Sequence, residues 1–447
     1  MKPVFNLTIV LLLALALDAS ALPQFAVRSS QSCAVCHVDP KNQWRNPDLR
    51  DRKCTLNCNS CHVNPTGAGM RNEAGLYYGW TQNASESTEL ARRMQAWYLE
   101  DDLSSEGSSG PGTAERYDGI RPHPKVQLGF DLRTMAHSSF SADSTDTKFF
   151  PMQTDFHLAI RPINPREITE GRLTLLATMG AEGSRFAEYD GFTDRFFVKE
   201  ALALYDDLPY QAYLKVGRFL PPFGWRMDDH TAYVRQSLSF DHERQVSGLE
   251  VGINPNFPYA HLAVYTTDPL VSIFESSASR ATPDSDFSTG AAFTAGYRDL
   301  LWQGGGSLIY ETRDAGSDLW LGANWSLNLF PATHPWKGWD WLPVIYMGEV
   351  AMRHRTSEGP EGEAFGTTTL AAFHELDWQL VRGVDAMLRL DWIDSSTEVA
   401  DDHKNRFALG LRLRPVPFVE LVGQYRMNTE PAGIANDEAL LQLHLWY

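Results

Sequence analysis

Apart from the stretch Leu7 to Leu17, the chain has no apolar run that approaches helix-spanning length, which excludes a polytopic helical membrane protein. It is also short of basic residues. Lys and Arg number 39 against 56 Asp and Glu, a formal charge of −17, and that balance does not point to nucleic acid as a partner. Residues 22–80 hold too little apolar sequence to build a core of their own. Histidine is scarce in the same region: between residue 22 and His123 there are only His37 and His62. Cysteine is scarcer still, with five in 447 residues.

Four of those five cysteines fall in two motifs, C-A-V-C-H at Cys33–His37 and C-N-S-C-H at Cys58–His62. C-x-x-C-H is the attachment signature of c-type haem: two thiols form thioethers to the porphyrin and the adjacent histidine binds the iron. A zinc site would not require a histidine directly after each second cysteine, and a redox dithiol would need a βαβ context that is missing. The sequence therefore predicts two covalent haem c groups, on Cys33 and Cys36 and on Cys58 and Cys61, with His37 and His62 as proximal ligands. Cys54 fits neither motif. Bis-histidine ligation of both haems cannot be completed within this segment. The sixth ligands have to be Met70 in the Gly-rich turn after His62, Met94, the mature terminal amine, a barrel histidine, or none. A methionine ligand would raise the potential relative to histidine.

Residues 1–21 read as a signal peptide ending in Ala19-Ser20-Ala21, followed by the dihaem segment at 22–80. Residues 81–124 read as a helix, with Leu90, Met94, Trp97 and Tyr98 at helical spacing, and then a Ser/Gly-rich linker. From residue 125 to 447 the pattern has period two, as in Val126, Leu128, Phe130 and Leu132 alternating with Gln127, Gly129, Asp131 and Arg133. About 16 such segments can be placed. Tight connections such as Asp206 to Pro209 and Arg382-Gly383 alternate with long polar ones such as Ser138 to Phe150 and Phe219 to Arg244. The expectation is an all-β fold: a transmembrane outer-membrane barrel of about 16 antiparallel strands with the dihaem segment within its lumen. A final strand ending on Tyr447, and 13 Trp with 16 Tyr available for interfacial girdles, agree with that reading. Strand phase puts His157, His261 and His444 on the inward face near the periplasmic mouth, as sixth-ligand candidates or as ordinary lumen histidines. Phe219 to Arg244, the third outward connection, either folds into the lumen or is a solvated surface loop.

Signal peptide, short haem segment and trailing barrel together resemble the fused outer-membrane cytochrome–porins of iron-oxidising bacteria, although those carry one C-x-x-C-H motif and this chain two. The resemblance implies an electron conduit in the outer membrane of a Gram-negative bacterium. Its partners would be periplasmic c-type cytochromes on one side, extracellular metal ions, minerals or cytochromes on the other, and outer-membrane lipid around it. Two other functions are open to the residues: a solute porin with a tethered periplasmic cytochrome, and a haem enzyme with an open sixth position. No acid–base partner for such an enzyme stands out, so electron transfer is preferred to bond-making chemistry.

Overall fold

The structure is a computed structural model, and it describes residues 58–72, 75–76, 125–163, 171–181, 196–227, 229, 231–240, 244–255, 257–267, 288–299, 302–313, 316–329, 344–358, 363–381, 383–431 and 436–447. The signal peptide, the first C-x-x-C-H motif, Cys54, Met94, the helix and the linker expected from the sequence lie outside these residues.

Sixteen strands form one closed antiparallel barrel. They are β1 (Val126–Phe140), β2 (Thr145–Ile163), β3 (Arg172–Ala181), β4 (Phe196–Asp206), β5 (Ala212–Phe219), β6 (Val246–Ile253), β7 (Pro258–Thr267) and β8 (Thr289–Arg298). Then come β9 (Trp302–Arg313), β10 (Gly316–Asn328), β11 (Val344–Glu358), β12 (Ala364–Val381), β13 (Val384–Asp394), β14 (Lys404–Leu413), β15 (Val419–Thr429) and β16 (Asp437–Trp446). Each strand pairs with its neighbours in sequence, and β1 pairs with β16 to close the ring. The strand count read from alternation is the count observed.

The alternation has a direct physical cause. On β1, Val126, Leu128 and Phe130 are exposed while Gln127, Asp131 and Arg133 are buried. The same inversion holds on β5 and β6, where Leu214, Val216, Leu249 and Val251 are exposed and Lys215 and Glu250 are buried. Apolar side chains turned outward and polar ones turned inward make a surface fit for hydrocarbon around a polar interior. In barrels of this kind the short turns lie at the periplasmic end. Here that end carries the connections 207–211, 254–257 and 414–418, together with the entry to β1.

Two details differ from the sequence reading or extend it. Ser138 to Phe150 is not a long loop: β1 runs to Phe140, β2 starts at Thr145, and Ser141 donates its backbone N–H to the Ser144 carbonyl at 2.9 Å across a tight turn. Polar residues there keep pairing above the apolar belt, as in the 2.9 Å hydrogen bond between the Ser138 and Thr147 hydroxyls, so hydrophilicity did not mark a break in the strand. The connection from β5 to β6, in contrast, turns into the barrel. It carries a short helix, α1 (Tyr233–Gln236), and buries Phe223, Val234, Leu238 and Phe240. Arg235 clamps it to the wall: its guanidinium donates to both carboxylate oxygens of Glu349 on β11, at 2.8 and 2.7 Å, and Glu349 is fully buried. Glu349 also accepts from the Trp225 backbone N–H at 2.9 Å, and Gly224 passes close above it with φ +52°, where a Cβ would collide with the carboxylate. Deeper in the loop the Trp320 indole N–H donates to the Leu238 carbonyl at 2.9 Å.

Candidate functional site in the lumen

Residues 58–76 supply the site, and the barrel wall holds them. Cys58 opens a single 3-10 turn, with its carbonyl accepting from the N–H of Cys61 at 3.2 Å and of His62 at 3.0 Å. Residues three and four apart on such a turn share a face, so both thiols and the histidine are presented together. The chain then doubles back. His62 bridges Arg71, and Val63 donates to the Met70 carbonyl at 2.9 Å, so residues 62–71 form a small hairpin. Its tip is Asn64-Pro65-Thr66-Gly67-Ala68-Gly69, with Gly67, Ala68 and Gly69 all at positive φ. Gly67 stacks its backbone against Cys58, since a Cβ there would lie 3.2 Å from Cys58 Sγ. Asn72 ties the hairpin to the turn: its backbone N–H donates to the Cys61 carbonyl at 2.9 Å and its side-chain amide to the Asn59 carbonyl at 2.8 Å.

This unit is docked against the inner wall of the barrel on several sides. Asn64 donates to Glu200 of β4 at 2.9 Å, and Asn254 donates to the Pro65 carbonyl at 2.8 Å. From the inward loop, Arg226 donates to the Thr66 hydroxyl at 3.2 Å. Arg71 pairs with Asp131 of β1 at 3.3 Å and lies over the Trp446 ring of β16, 4.0 Å from its centroid, while its carbonyl accepts from Gln127 at 2.8 Å. Val63 and Met70 complete the docking as members of one buried apolar cluster that also holds Ala159, Leu176 and Leu204 of the wall and Phe223, Val234 and Leu238 of the inward loop. For the described part of the segment, the core that its sequence lacks is supplied by the barrel.

Arg71→Ala removes the stacking on Trp446 and one partner of Asp131, which keeps Arg133 at 3.2 Å and His444 at 2.9 Å. Because Asp131 is not orphaned, the expected loss is that of one buried cation–π contact with its hydrogen bond, about 1–2 kcal/mol of docking. Hydrogen exchange over residues 58–72 is expected to accelerate roughly tenfold while the β-strand amides stay protected.

The sixth-ligand candidates are placed differently from one another. Met70 is almost wholly buried, packed in the apolar cluster. His444 has both ring nitrogens against carboxylates, Nε2 at 2.9 Å from Asp131 and Nδ1 at 3.6 Å from Glu420. His261 sits between the rings of Tyr213 and Tyr259, each 5.7 Å away, with Nδ1 2.7 Å from the Tyr213 hydroxyl. His157 lies beside the hairpin tip, its Cε1 4.0 Å from where a Gly69 Cβ would be, with Nδ1 2.9 Å from the Thr178 hydroxyl. The residues that sequence reading missed are the wall anchors Glu200, Asn254, Arg226 and Trp446. Alternation marks Glu200 as inward-facing, but nothing local says what it meets.

The donor set fits a c-type haem: two thiols and a histidine on one turn, glycine backbone pressed close, and beside the hairpin tip a buried histidine nitrogen, His157 Nε2, with no hydrogen-bond partner among the described residues. No protein-family model matches the chain, and no curated protein does. Solved structures do. An anion-selective porin from Comamonas acidovorans aligns with a TM-score of 0.51 at 12% identity, over 72% of this chain and 99% of that one. The outer membrane channel DcaP of Acinetobacter baumannii aligns with a TM-score of 0.50 at 11% identity, over 72% of this chain and 97% of that one. The barrel has the outer-membrane porin fold. Within that porin fold, the described residues of the inward loop and residues 58–72 and 75–76 occupy part of the space that the ring of strands encloses.

Proposed function

We propose that this protein is an outer-membrane electron conduit: a c-type haem on Cys58, Cys61 and His62 within the barrel, a second on Cys33, Cys36 and His37, and electrons passing between periplasmic c-type cytochromes and extracellular metal ions, minerals or cytochromes. The observation that carries the reading is the docking of the C-N-S-C-H turn on the inner wall, through Asn64 to Glu200, Asn254 to Pro65 and Arg71 to Asp131. When bound there, haem c supplies a one-electron iron couple inside a layer that otherwise insulates. The residues around it fix its position. Asn72 and Gly67 set the shape of the attachment turn, Arg71 and Asn64 hold the turn to three different strands, and the apolar cluster from Val63 to Phe223 keeps water away from that side.

A tethered cytochrome hanging below an open porin accounts less well for these contacts, because a tether requires none of them. Liposomes that enclose a reduced dye and carry the haem-loaded protein are expected to pass electrons to an external acceptor too large to enter a pore. Dye that stays reduced with both haems loaded would sink the conduit reading.

A further inference from the structure

We infer that His157 is the distal axial ligand of the haem carried by Cys58, Cys61 and His62, in the tautomer that presents a bare Nε2 lone pair, set by a Glu200–Thr178 relay; this rests on the haem reading above.

The tautomer follows from the hydrogen bonds. Glu200 is a carboxylate and accepts only; it takes the Asn64 amide at 2.9 Å and the Thr178 hydroxyl at 3.2 Å. The Thr178 hydroxyl has one proton, and with that proton directed at Glu200 its oxygen is left to accept. The group facing that oxygen is His157 Nδ1, 2.9 Å away. Nδ1 therefore carries the ring proton and donates it, and Nε2 keeps its lone pair. That nitrogen is buried, on a residue only 2% exposed, and has no hydrogen-bond partner among the described residues. A buried acceptor left unpaired is destabilising, a penalty that coordination to iron removes. A histidine whose second nitrogen is fixed by an outer-shell acceptor is the usual arrangement of a metal ligand. Coordination through Nε2 needs no proton transfer, since the proton already sits on Nδ1.

Position agrees with chemistry. His157 abuts Gly69 at the tip of the hairpin that begins at His62, and the carboxylate that orients it also anchors Asn64, two residues after His62. The other barrel candidates lack this combination. His444 faces carboxylates with both nitrogens, which calls for a proton on each, and His261, whose Nδ1 faces the Tyr213 hydroxyl that donates to Glu250, has a relay of the same kind but lies against two tyrosine rings rather than against the hairpin tip.

The test uses full-length protein matured with c-type haem and purified in detergent, read by optical and electron-spin spectra. Wild type is expected to hold the second haem low-spin. His157→Gly is expected to turn one of the two haems high-spin, and added imidazole to restore the low-spin spectrum, which a structural role would not do. His157→Met, folded by its heat-modifiable gel mobility, should stay low-spin with a higher midpoint potential. Thr178→Val should leave the haem count at two and weaken the low-spin signal. Two loaded haems with an unchanged His157→Gly spectrum, or a high-spin signal produced by His261→Gly instead, overturns the ligand assignment alone. A Cys58–Cys61 peptide without a haem adduct overturns the haem reading and the ligand with it.

Discussion

Glu349→Ala is expected to open the barrel. In planar bilayers the wild-type protein should be nearly silent, because the connection from β5 to β6 packs Phe223, Val234 and Leu238 into the lumen against Trp320 and the wall. Glu349 is the acceptor that secures it, taking two bonds from Arg235 and one from the Trp225 N–H while fully buried. Removing one partner of a buried ion pair leaves the other charge uncompensated, at a cost of about 3–5 kcal/mol. That is about two to four orders of magnitude in the population of the released loop. Arg235 keeps its bonds to the Trp225 and Val234 carbonyls and Asp229 keeps Arg389 and Arg426, so the loop loosens at its Gly224–Arg235 end and ionic conductance rises above that of the wild type. Glu349→Gln retains an acceptor and should fall between the two. A Glu349→Ala barrel as silent as wild type would show that apolar packing holds the loop without the ion pair.

The second large effect is on electron flow. Replacing Cys58 and Cys61 together with serine removes both thioether sites from a turn whose backbone bonds, Cys58 carbonyl to the Cys61 and His62 N–H groups, do not need the sulfur. The barrel is expected to fold and close as before. Haem content should drop from two to one per chain, and transmembrane oxidation of an enclosed dye should fall to the leak rate of protein-free vesicles. His62→Ala should impair the flow in the same direction with the thioethers intact. Flow at the wild-type rate in either variant would take this motif out of the path. Because Asn64, Arg71 and Met70 dock the hairpin without using the thiols, loss of flow in the serine variant reports the cofactor and not a detached segment.

Much of the barrel was legible in the sequence because lipid imposes one rule on every strand. Leu128, Phe156, Leu249 and Leu441 all face outward and are apolar, and a period of two makes the rule visible in each strand separately. The same rule put His157, His261 and His444 on the inward face. What alternation could not reveal is which inward groups meet. Arg235 and Glu349 are 114 residues apart, and Asn64 and Glu200 are 136 apart; neither pair leaves a local mark. The inward turn of the Phe219–Arg244 connection was one of two readings open to the sequence, and it is the contacts with Trp320 and Glu349, neither of them local, that decide for it. The tautomer of His157 depends on hydroxyl and carboxylate groups from two further strands, and no single stretch of sequence holds all three. The β1–β2 hairpin shows the converse error, in which polar residues were taken for a loop although they still pair.

Arg71 touches both sides of the seam where the ring closes: it pairs with Asp131 on the first strand and stacks on Trp446 on the sixteenth. Across that seam His444 meets Asp131 from 313 residues away, and Phe130 and Tyr447 exchange backbone hydrogen bonds at 2.9 Å in both directions. Pairing across such a sequence separation carries a large loop-closure cost and makes a β-topology slow to form. The docked hairpin is therefore a latch as well as cargo. By holding one side chain of each terminal strand it lowers the cost of bringing them together, and a barrel deprived of residues 58–76 has to find its closing register unaided.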